Sequence, residues 1–77
     1  MSDYRLKPPR IQAFAIGLEP PVYPVVSVGL LTDKYIIYTP QANYKAPRGH
    51  YFVVADTVFL EILSPDDFHK KYEKIEN

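Results

Sequence analysis

His50 and His69, with Asp56 and Glu61 between them, could supply a base and the acid that orients it. Such a pair works on a nucleophile, and none stands out. The chain has no cysteine, and Ser64 directly precedes Pro-Asp-Asp, where a serine caps a helix far more readily than it attacks a carbonyl. No acidic pair has the setting of a general acid and base, so ordinary surface histidines are the favoured account. The lack of cysteine also excludes disulfides and thiolate metal sites, and the two histidines are not spaced as a ligand pair. These residues predict a protein that is not an enzyme and holds no metal or cofactor.

Binding chemistry has better candidates. Tyr44-Lys45-Ala46-Pro47-Arg48-Gly49-His50-Tyr51 interleaves basic and aromatic residues. Lys45 and Arg48 could contact a phosphate backbone while Tyr44 stacks on a base. Against this, the nine basic residues are balanced by nine acidic ones, so nucleic acid is disfavoured and a solvated loop anchored by its tyrosines is preferred. Pro21-Val22-Tyr23-Pro24 has PxxP spacing, although a structural connector between two strands explains it more simply. Tyr23, Tyr35, Tyr38, Tyr44 and Tyr51 are many rings for a small core to hide. An interaction surface formed by Tyr23, Tyr35, Tyr38, Tyr44, Lys45, Arg48 and Tyr51 and plain packing of the same rings both stay open.

The elements that position these residues follow from punctuation and period. Seventy-seven residues predict one domain, 1–77, whose small core leaves stability marginal unless self-association adds to it. Residues 1–9 end in Lys7-Pro8-Pro9 and read as an extended lead-in. Residues 10–18 predict a strand, and 19–24, with three prolines, a stiff connector in polyproline II geometry. Residues 25–31 and 35–38 predict a hairpin turning at Thr32-Asp33-Lys34. Residues 39–49 read as the longest irregular piece. Residues 50–63 predict a second hairpin turning near Asp56-Thr57. A helix is predicted over 65–75, with Ser64 as N-cap, Pro65 at the first position and Asp67 closing a capping-box variant. Phe68, Tyr72 and Ile75 form its apolar stripe.

About five strands and one terminal helix predict an α+β fold. Strict alternation places Val58, Leu60 and Ile62 on one face of the last strand and Phe59, Glu61 and Leu63 on the other. With both faces apolar, the sheet is expected either to curl into a small barrel-like form or to bury its second face against a partner or a copy of itself.

The two ends of the chain carry a resemblance. Tyr4-Arg5-Leu6-Lys7-Pro8-Pro9-Arg10-Ile11-Gln12-Ala13-Phe14 resembles the opening of the PGDYG-motif proteins of phage genomes. Pro47, Gly49 and Tyr51, then Pro65, Phe68 and Tyr72, are similar to their closing motifs. The chain departs from the pattern in lacking tryptophan, in the inserted Arg48, and in His50 where that family has aspartate. The resemblance implies an accessory phage protein in the cytoplasm of an infected or lysogenic bacterium, and it brings no catalytic or binding residues to carry over.

The expected role is therefore that of a small non-enzymatic protein that binds and modulates a protein partner, a host enzyme or a defence component. A self-assembling, virion-associated homo-oligomer and a weak nucleic-acid accessory are the alternatives. The apolar runs are too short to span a bilayer, so no membrane partner is expected.

Overall fold

The computed structural model describes residues 11–72. The extended lead-in over 1–9, the opening part of the phage resemblance through Arg10, and Ile75 lie outside the described residues; the helix expected over 65–75 is shorter, ending at Lys71 with Tyr72 already extended. Among the described residues, six strands and one helix run in the order β1 (Ile11–Ala15), β2 (Ser27–Leu30), β3 (Tyr35–Tyr38), β4 (Asn43–Ala46), β5 (Tyr51–Ala55), β6 (Val58–Leu63) and α1 (Pro65–Lys71). The α+β class holds, but the single curled or barrel-like sheet of about five strands is corrected. The strands form two separate antiparallel sheets of three, ordered β1-β5-β6 and β2-β3-β4.

Two features account for the difference. Residues 39–49, expected to be irregular, contain β4. Its residues Asn-Tyr-Lys-Ala have little intrinsic strand preference and pair with β3 because Tyr44 and Ala46 fall on a buried face. The second feature is a bulge in β6. Val53 lies opposite Glu61 and Val54 opposite Phe59, which leaves Leu60 as the extra residue. This slip lets Phe59 and Ile62, three positions apart, both face the core, and it turns Glu61 to the other side. The two apolar faces expected from strict alternation are the signature of a phase change within the strand.

The sheets share one core. Phe14, Ile16, Phe52 and Val54 of the β1-β5-β6 layer meet Ile37 and Ala46 of the β2-β3-β4 layer, with Val28, Tyr35, Tyr44, Phe59 and Ile62 packed around them. Phe14, Phe52, Ile16, Ile37, Val53 and Val54 are fully enclosed; each side chain of this size contributes roughly 1.5–3 kcal/mol on burial. The proline-rich connector also contributes, because Val22 and Val25 pack on the core and Pro24 is buried. It bends at Val22–Val25, where the Val25 N–H donates to the Val22 carbonyl at 2.9 Å, and Tyr23-Pro24 is a cis peptide.

Helix α1 starts as expected. Ser64 is extended, its Oγ accepts from the Asp67 N–H at 3.3 Å, and Pro65 follows it. The helix lies on the β1-β5-β6 face opposite the core, the face that carries Tyr51, Val53, Glu61 and Leu63. Phe68 stacks on Tyr51, while Lys71 and Tyr72 reach Glu61. The helix therefore shelters the part of that face around Tyr51 and Glu61.

Candidate functional site

The seven residues proposed as an interaction set separate into two groups. Tyr35, Tyr44 and Tyr51 are half-buried and serve packing. Tyr35 lies against Gly17, where an added Cβ would sit 2.8 Å from its Cζ. Tyr44 stacks on Phe59 at 4.2 Å between ring centroids and meets Phe52 edge-on at 5.7 Å. Tyr51 is the sheet's half of the helix contact. Tyr23, Tyr38, Lys45 and Arg48 are exposed.

This division bears on the nucleic-acid arrangement. Tyr44 and Lys45 are successive residues of β4, so their side chains leave opposite faces of the sheet. Tyr44 points into the core while Lys45 points to solvent. A ligand touching Lys45 cannot stack on Tyr44, and the constellation drawn from residues 44–51 does not assemble.

Of the residues that could have done catalysis, Ser64, Glu61 and His69 are held in other contacts, whereas His50 Nδ1 is enclosed and has no hydrogen-bond partner among the described residues. Ser64 Oγ caps the helix. Glu61 Oε2 accepts from Lys71 Nζ at 2.8 Å and from the Tyr72 hydroxyl at 2.6 Å. The bond from Lys71, and then that from Tyr72, holds the Glu61 carboxyl below the usual value; the same contacts raise the Lys71 ammonium and the Tyr72 phenol above theirs. His69 makes edge contacts with Tyr51 and Phe68. Among the described residues no three His, Cys, Asp or Glu side chains cluster as metal ligands, and no helix is long and apolar enough to cross a membrane. A shallow hollow of about 170 Å³ lies among Gln41, Tyr44, Thr57, Val58 and Phe59; it is smaller than the roughly 300–1,000 Å³ of a small-molecule site.

What the fold does assemble is a surface. Register places Ser27, Tyr38 and Asn43 in one row across the outer face of β2-β3-β4, and Gly29, Ile36 and Lys45 in the next. Tyr38 stands at 39% exposure, and the Gly29 position lies 3.3 Å from Ile36 Cγ2 and 3.6 Å from Tyr38 Cε2, measured from an ideal Cβ. Both side chains lean over the glycine strand and give a flat apolar centre with Lys45 at its margin. No described element covers it. The sequence named Tyr38 and Lys45 but missed Ile36 and Gly29, whose part in this surface depends on strand pairing.

No protein family matches the chain, and neither does any curated protein or solved structure. None of the three comparisons supports the resemblance to the PGDYG-motif phage proteins.

Proposed function

We propose that this chain is a non-catalytic binding module that docks a protein partner on the outer face of its β2-β3-β4 sheet. One contrast carries the proposal. On the outer face of β1-β5-β6, α1 lies over Tyr51 and Glu61, whereas on the equivalent face of the second sheet Tyr38 is exposed beside a half-buried Ile36 and Lys45, with no described element over them. Buried aromatic anchors within a polar rim dominate protein interfaces. The matching partner offers an apolar patch with a carboxylate at its edge. The accessory role implied by the resemblance points to a bacterial enzyme or defence component as that partner.

The test compares tagged wild-type chain with Tyr38→Ala and Lys45→Glu in capture from bacterial lysate, followed by titration of the recovered protein. The proposal expects one near-stoichiometric partner whose affinity falls by roughly 30-fold or more on loss of the ring. Recovery of no such partner from several hosts, or equal capture by all three chains, overturns it.

A further inference from the structure

The two sheets have four outer strands, and three of their rims are guarded against pairing. On β1, the Ala15 N–H is already taken by Glu19 Oε1 at 2.8 Å. On β6, the bulge at Leu60 breaks the ladder. On β4, Lys45 carries a charge and Pro47 follows with no N–H to offer. Bulges, lysines and prolines are the usual devices that keep sheet edges from associating. Strand β2 has none of these along Ser27–Leu30, the one irregularity lying just before it, where Val26 and Ser27 both meet Tyr38. Its sequence is Ser-Val-Gly-Leu, within an uncharged stretch over 25–31, and it is the outermost strand of the order β2-β3-β4.

Its outward groups can be located. The Leu31 N–H donates across the hairpin to the Lys34 carbonyl at 2.8 Å, so Leu31 faces β3. Alternation then turns the N–H and C=O of Val28 and Leu30 away from β3, with Gly29 facing it. The rim is closed on either side. The Val26 N–H is spent on the Tyr38 carbonyl, and residues 32–34 bend into β3. Two outward residues are left, symmetric about Gly29, and the Leu30 side chain stands at 71% exposure.

We infer that β2 pairs with β2 of a second copy, antiparallel, about a two-fold axis at Gly29. In that register Val28 of each copy meets Leu30 of the other as a hydrogen-bonded pair. Four main-chain bonds then use every outward group of the rim, and each exposed Leu30 gains a cross-strand valine. No like charges meet, and the two outer faces join into one six-stranded surface with closed two-fold symmetry. A contact of this size is small, so the dimer belongs to the micromolar range of weak associations. The inference is independent of the proposed docking role. Loss of self-pairing leaves Tyr38-dependent capture as it was, and loss of capture leaves the dimer.

Sedimentation equilibrium between about 10 and 500 µM, a range set to bracket weak association, tests it. The wild-type chain is expected to move from monomer to dimer. Leu30→Pro, which removes an N–H with no bond inside its own sheet, and Leu30→Lys are each expected to weaken this at least tenfold with unchanged circular dichroism. Register is tested separately. Ser27 and Leu31 of opposite copies face each other, so the double variant Ser27→Cys/Leu31→Cys is expected to form a covalent dimer on mild oxidation, and Ser27→Cys alone is not. A wild-type monomer throughout, a dimer indifferent to both Leu30 variants, or failure of the double variant to cross-link overturns the inference.

Discussion

Tyr51 of β5 and Phe68 of α1 stack face to face, with ring centroids 4.0 Å apart and planes 3° from parallel. Phe68 is half-buried and no residue of α1 is fully buried, so the helix is held by a few discrete contacts. A seven-residue helix has little stability of its own in water. Phe68→Ala is therefore expected to release α1 while leaving the two-sheet core assembled. Global stability should fall by about 1–2 kcal/mol, since only part of the ring is buried, read as a lowered urea midpoint, and amide exchange in residues 65–71 should accelerate before that of β5.

The second tether gives the helix a pH dependence. Glu61 has its folded pKa lowered by Lys71 and Tyr72. Its contribution is complete above the ordinary value of 4.5 and disappears as pH falls through the depressed folded value. At the alkaline end, Lys71 and Tyr72 are both raised above ordinary values of 10.5 and 10.0. Their contributions persist below those values and are lost as pH climbs through the raised ones. Glu61 is partly exposed, so its share after screening is only about 0.5–1 kcal/mol. Urea midpoints against pH should show an acid decline below about 4.5 that Glu61→Gln flattens; a parallel decline in the variant would contradict the assignment.

Asp56 and Thr57 close the β5–β6 hairpin with φ of 48° and 66°. Both lie in the left-handed region that suits Asn-Gly turns, and a β-branched threonine is poorly fitted to it. Thr57→Gly is expected to raise stability by about 0.5–1 kcal/mol, measured as an increase in Tm, with the register of β5 and β6 unchanged.

At the other end of the core, Gly17 has φ of +80°, and an added Cβ would sit 2.8 Å from Tyr35 Cζ. Gly17→Ala combines backbone strain with a collision against a half-buried ring. A loss of about 2–3 kcal/mol is expected, with a change in the near-ultraviolet tyrosine signal reporting the displaced Tyr35.

Local chemistry was legible in the sequence where it acts over a few residues. Ser64, Pro65 and Asp67 place the helix start, and apolar runs around Asp56-Thr57 place the last hairpin. Relationships set by pairing were not. Asn43–Ala46 is a strand only because β3 offers it a partner and a core to face. Tyr44 and Lys45 read as one cluster in sequence and diverge once the pleat assigns them to opposite faces. The candidate surface joins Gly29, Ile36 and Lys45 across three strands, a row that no local window contains.

Leu60 has a further consequence, arising from its presence as a residue more than from its side chain, which is 47% exposed. Removing that one position would close the bulge and leave Phe59 opposite Val54 and Glu61 opposite Val53 in an unbroken ladder, so the Glu61 carboxylate would keep its place beside the ammonium of Lys71 and the hydroxyl of Tyr72. A single-codon deletion at this point should therefore be tolerated as substitutions are, because the extra peptide unit has no partner on β5 and is not what aims Glu61 at the helix.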